Sequence, residues 1–124
     1  LYFATWGGEP HLMARRRAER AGAEQVPYEL EADAFCRMAI PSLEVPPGPV
    51  VIDELGVIEL DSPEFREAVA DLFRRPVPVL AVVQERAMDR WRQILGPDAA
   101  VHFFRVEAST REGLPEQITA LFCS

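Results

Sequence analysis

Continuous apolar runs and helical stripes take turns along the second half of the chain. Val50, Val51 and Ile52 run directly into Asp53-Glu54, "PVPVLAVV" ends at Val83, and "VHFFRVE" occupies 101–107. A strand exposed on one side alternates polar with apolar residues, so unbroken runs predict strands covered on both faces. Between them, "DSPEFREAVADLFRR" carries Phe65, Val69, Leu72 and Phe73 at i, i+4, i+7 and i+8, a single stripe facing a sheet. Ser62 suits the N-cap and Pro63 the first helical position, while Glu64 and Arg74-Arg75 suit the two ends of the helix dipole. "RAMDRWRQIL" places Ala87, Trp91, Ile94 and Leu95 on one side before Gly96-Pro97 stops it. "TREGLPEQITALF" predicts a closing helix with Pro115 in its first turn and Ile118, Leu121 and Phe122 buried.

The first half is less regular. Gly7-Gly8 lies between two short β-capable runs, which predicts a β-hairpin over 1–14 with strands Leu1 to Thr5 and His11 to Ala14. The "RRRAER" cluster that follows reads as a solvated face. Glu31 to Leu43 has helical character, with Phe35, Met38 and Ala39 on one face and Pro41 expected to interrupt or restart the helix. Residues 45–49, "VPPGP", form a proline-rich connector that can continue neither a helix nor a central strand. Beyond it the order strand, helix, strand, helix, strand, helix implies right-handed crossovers. The expectation is one α/β domain over 1–124, a mostly parallel sheet with helices on both faces.

Composition narrows the partners. Acids outnumber bases 20 to 13 and the formal charge is −7, which argues against a nucleic-acid surface. No apolar run approaches the roughly 20 residues that span a bilayer, and no signal-peptide pattern opens the chain, so a cytoplasmic location without membrane attachment is the expectation. Cys36 and Cys123 are far apart and read as ordinary thiols. All 13 basic residues are arginine. A mechanism that needs a lysine amine, whether a Schiff base or a phosphate-gripping P-loop lysine, is therefore impossible within these residues.

An aspartate ending a buried parallel strand and followed by a glutamate is the hhhhDE pattern of a Walker B motif. In P-loop enzymes such an aspartate helps hold Mg2+, and a neighbouring carboxylate orients or deprotonates the attacking water. The residues around it extend the signal. "VVIDELGVIELDSPEFREAVADLF" followed by "PVPVLAVV" closely resembles the P-loop nucleoside-triphosphatases of the cancer-related or thermophilic type, which carry an IDE(I/L)G-x-(M/I/L)EL motif, a Ser-Pro-x-Phe-Arg-Glu helix and a Pro-Val-Leu-Ala strand. "VEASTREGLPEQI" and the opening hairpin resemble the family more loosely.

The resemblance implies a P-loop NTPase-like three-layer sandwich that hydrolyses a nucleoside triphosphate with Mg2+ as cofactor. It implies Asp53 as the Mg2+-associated carboxylate, Glu54 as the general base, and Gly56 and Glu59 as the signature positions after them. Gly56 read on its own is equally a turn residue needing unusual backbone angles, and Glu59 equally a helix-entry or surface carboxylate. Where the family commonly has a His-Arg pair after the strand, this chain reads Gln84-Glu85-Arg86, which leaves Gln84 and Arg86 as the nucleotide-contacting candidates.

The family's G-x-x-G-x-G-K-(S/T) loop is nowhere in these residues, and its expected place lies upstream of Leu1. Two readings follow. In one the chain is the Walker B and C-terminal part of a hydrolase; in the other it is a degenerate, non-hydrolytic interaction module. Lacking the P-loop strand and helix, the sheet would expose apolar surface for a second copy or another partner to cover. A metal-only phosphohydrolase built on Asp53, Glu54 and Glu59 is weaker, because His11 and His102 have no ligand spacing.

Overall fold

A computed structural model of the protein describes residues 2–3, 8–19, 22, 27–44, 48–96 and 100–122. β1 (Tyr2–Phe3) and β2 (His11–Leu12) pair antiparallel as the expected hairpin, whose Gly7 lies outside the described residues. β3 (Ala14–Arg16) then pairs antiparallel with β4 (Tyr28–Leu30), an association unmarked in the local pattern. Arg15 and Arg16 are exposed on β3, and Arg15 forms an ion pair with Glu31. The solvated face expected for the arginine run is thus the outer side of a strand.

α1 (Ala32–Ser42) buries Phe35 and Ala39. Pro41 does not interrupt it, because the ring falls in the last turn and removes only one amide donor near the end. Of the connector, 45–47 lie outside the described residues. β5 (Val50–Leu55) and β6 (Val79–Val83) form a parallel pair in register from Val50 opposite Val79 to Asp53 opposite Val82. The register then slips, and Leu55 faces Val83.

α2 (Pro63–Arg74) crosses between the two strands. Ser62 caps it, its hydroxyl accepting from the Phe65 amide at 3.2 Å, and Pro63 opens the helix. Phe65, Val69 and Leu72 point into the core beside Leu55, Leu60 and Trp91. Aromatic edges tie the layer together: the Phe35 and Phe65 centroids are 4.8 Å apart at 64°, and those of Phe65 and Trp91 are 6.5 Å apart at 89°. α3 (Met88–Leu95) follows a 3-10 turn at Glu85–Ala87 and ends at Gly96, whose φ of 72° is one that side-chain-bearing residues avoid.

The α/β architecture with a parallel strand pair is the one expected. Paired residues of a parallel sheet share a face, and Val50, Ile52, Val79 and Ala81 lie on the side packed against the helices. The other side is open: Val51 is 66% and Val82 50% exposed.

Residues 101–107 carry no strand despite strand-favouring side chains, because no strand among the described residues supplies a ladder for their backbone. Phe103 and Val106 are exposed there, as is His102. Thr110 turns the chain, its hydroxyl accepting from the Glu107 amide and donating to the Arg105 carbonyl, each at 3.0 Å. α4 (Leu114–Phe122) buries Leu114, with Ile118 and Phe122 half-buried and Leu121 exposed rather than buried as its stripe suggested.

Candidate functional site

The carboxyl end of β5 gathers most of the residues singled out from the sequence. Asp53 and Glu54 are both exposed near the carboxyl end of the strand, directly after the apolar run Val50 to Ile52. The register slip falls between Asp53 and Leu55, so Glu54 is the extra residue of a bulge, the device that re-aims a side chain at a strand end. The Asp53–Glu54 peptide bond is cis.

Gln84, the residue directly after β6, reaches across to β5. Its side-chain NH2 donates to Glu54 Oε1 at 2.9 Å, its side-chain oxygen accepts from the Val57 amide at 3.2 Å, and its own backbone amide donates to the Leu55 carbonyl at 2.9 Å. The Val57 N–H can only donate, so the carboxamide oxygen must face Val57 and the nitrogen Glu54.

Gly56 is buried between these groups. Its amide donates to Glu59 Oε2 at 2.9 Å, and its carbonyl accepts from the Trp91 indole N–H at 3.1 Å. A Cβ there would lie 2.6 Å from Gln84 Oε1 and 3.0 Å from Glu59 Oε2. Crowding is therefore the reason for glycine, and unusual backbone angles are not, since Gly56 has no positive φ.

Glu59 is half-buried at the start of a 3-10 turn, Glu59–Asp61, where its carboxylate closes back on Gly56. Burial pushes its pKa above the ordinary carboxylate value, and the nearby Glu54 charge adds to the rise; the amides of Glu59 and Gly56 oppose it. Glu59 is thus neither free surface nor simple helix entry.

Arg86 stands apart. It is exposed on the turn Glu85–Ala87 and makes no hydrogen bond or ion pair with another described residue. The ion pair on that turn belongs to Glu85, which accepts from Arg105 at 2.6 Å. Glu54, Gly56, Glu59 and Gln84 form one hydrogen-bonded assembly, Asp53 shares its strand end, and Arg86 is not drawn in. Trp91 belongs to the assembly as well, though its place in an apolar stripe marked it only as core.

Among the described residues there is no group of three or more His, Cys, Asp or Glu able to hold a metal ion by themselves, and no helix long and apolar enough to cross a membrane.

A family model described as NTPase matches residues 3–119. Over 70 residues the chain is 36% identical to the nucleoside-triphosphatase THEP1 of Thermococcus kodakarensis and 31% identical to that of Pyrococcus abyssi. The aligned segment is 54% of this chain and only 39% of either relative. The crystal structure of THEP1 from the hyperthermophile Aquifex aeolicus matches with a TM-score of 0.65 at 22% identity, covering 98% of this chain and 75% of that one. The shared fold extends well beyond the segment in which the sequences agree.

Proposed function

The chain belongs to the NTPase family, and from that premise we propose that it supplies the Walker B strand and the C-terminal part of a Mg2+-dependent nucleoside triphosphatase, which releases phosphate from a nucleoside triphosphate. The observation that supports this most is the exposed pair Asp53 and Glu54 at the carboxyl end of β5, the rim at which open α/β sheets take their ligands.

The donor set suits Mg2+. This ion favours one or two carboxylates and leaves its remaining positions to substrate phosphates and water, so no all-protein cage is required. Asp53 would hold it, and when bound it would neutralise charge on the phosphates. Glu54 serves as the base that orients the attacking water and takes its proton. Gly56 and Glu59 shape the loop beneath that carboxylate. None of these 124 residues is a lysine, so an amine that grips the phosphates is not among them.

The open apolar face at Val51 and Val82 favours a second reading: a non-hydrolytic module of the same family whose bare sheet face is covered by a second copy or another protein.

Phosphate release by the full-length gene product, with Mg2+ and a nucleoside triphosphate, separates the two. The hydrolase reading expects turnover that Glu54→Gln abolishes while nucleotide affinity survives. Absence of release from the unsubstituted protein, together with self-association in light scattering, selects the module. The 124-residue chain itself is expected to bind fluorescent nucleotide poorly, and submicromolar affinity would overturn the account of the missing lysine.

A further inference from the structure

Gln84 touches the end of β5 and the loop that follows it at three points, and we infer that its carboxamide is a two-ended clamp that positions Glu54 for the hydrolytic step. One end is anchored on the Val57 amide and the other on Glu54 Oε1. The inference rests on the hydrolase reading above and assigns Gln84 a positioning role in place of a direct contact with nucleotide.

The chemistry follows from which atoms are committed. Gln84 occupies Oε1 of Glu54, and no other described residue takes Oε2, so one oxygen is fixed and the other is left to accept from water. An amide donating to a carboxylate makes a charge-assisted bond, which holds an otherwise exposed side chain in one orientation without neutralising it. The clamp is itself rigid. Gln84 is tied through its backbone to Leu55, and the Gly56 carbonyl next to it is pinned by the buried Trp91 indole. The missing Cβ of Gly56 provides the space in which the carboxamide lies. A base fixed within hydrogen-bonding reach of its water raises the rate of the chemical step rather than substrate affinity.

The discriminating variant is Gln84→Glu in the full-length protein. A glutamate keeps an acceptor for Val57 and loses the donor to Glu54, so the anchor survives while the held carboxylate is repelled. The expected result is a fall in kcat of about ten- to a hundredfold with KM changed by less than about twofold, in a protein that still unfolds cooperatively at a midpoint lowered by the repulsion. Gln84→His, whose neutral imidazole offers one donor and one acceptor, is expected to recover part of kcat. Unchanged kcat in Gln84→Glu overturns the inference. So does a KM that changes as much as kcat does, which marks a merely structural residue.

A second arm does not depend on turnover. With selective 15N labelling of glutamine and tryptophan in the intact protein, Glu54→Ala is expected to shift the Gln84 side-chain NH2 signals and leave the Trp91 indole signal in place. Unmoved Gln84 signals sink the clamp. Lack of phosphate release from the unsubstituted protein sinks the hydrolase reading instead, and the amide signals still decide the contact.

Discussion

Trp91 donates its indole N–H to the carbonyl of Gly56, 3.1 Å away, and so fastens α3 to the end of the strand that carries Asp53 and Glu54. Trp91 has no exposed surface, and its ring meets Phe65 edge-on. Trp91→Phe keeps most of the packing and strands the buried carbonyl, which costs roughly 1–3 kcal/mol. Trp91→Ala adds a cavity and is expected to cost about 3–5 kcal/mol. Urea unfolding reads both. A Trp91→Phe protein as stable as the original would show that the Gly56 carbonyl finds another partner.

Gly56→Ala tests the crowding argument. The added Cβ would meet Gln84 Oε1 at 2.6 Å and Gln84 Cδ at 2.9 Å, distances at which something has to move. Overpacking of this kind costs roughly 1–3 kcal/mol. Gln84→Ala removes both clashing atoms, so the cost of Gly56→Ala is expected to shrink by about 1 kcal/mol in that background, the sign of two residues in contact. Strict additivity in the double-mutant cycle would mean that glycine is needed for another reason.

What could be read from the sequence and what could not divide along the range of the interactions. The cap at Ser62, the proline at the first position of α2, and the stripe Phe65, Val69, Leu72 all act within one helix, so local chemistry announced them. β5 and β6 announced themselves as apolar runs of strand length. The β3–β4 pair joins an arginine-rich stretch to Tyr28–Leu30, and the alternation of Tyr28, Glu29 and Leu30 covers only three residues, too few to stand out in the pattern. The run over 101–107 shows the opposite failure, since β propensity supplies no partner strand.

The site divides in the same way. Asp53 and Glu54 stand out as a motif, and Gly56 and Glu59 stand out through their spacing from it. That Gln84 grips Glu54 from thirty positions away depends on β6 lying beside β5, which only the sheet reveals. Trp91 was hidden for a different reason: an indole in an apolar stripe signals burial, and its polar edge leaves no trace in the pattern.

Ser62→Ala removes the cap of α2. Ser62 is fully buried, and its hydroxyl also lies 3.1 Å from the Cys36 sulfur, so water cannot readily take over the Phe65 amide. The expected loss is about 1–2 kcal/mol. Ser62→Asp keeps an acceptor but buries a charge beside Glu64, and is expected to be no better than alanine. Thermal unfolding of the three proteins provides the comparison, and an aspartate variant as stable as the original would contradict the burial argument.

Glu59 gives the protein a pH dependence of definite sign. Burial first, and the Glu54 charge last, raise its folded pKa above the ordinary 4.5, against the opposing amide hydrogen bonds. The folded state therefore holds the Glu59 proton more tightly than the unfolded state does. Its contribution to stability is full below the unfolded pKa and is lost as pH rises from there through the raised folded pKa. Glu59→Gln removes the charge yet keeps a side-chain oxygen to accept from the Gly56 amide. That variant is expected to lack this part of the decline and to be at least as stable as the original at neutral pH. Denaturant midpoints measured from pH 4 to 8 on both proteins decide the matter. A variant that shows the same decline, or that is weaker at every pH, would mean that the ionised carboxylate stabilises the turn at Gly56 and that desolvation does not govern Glu59.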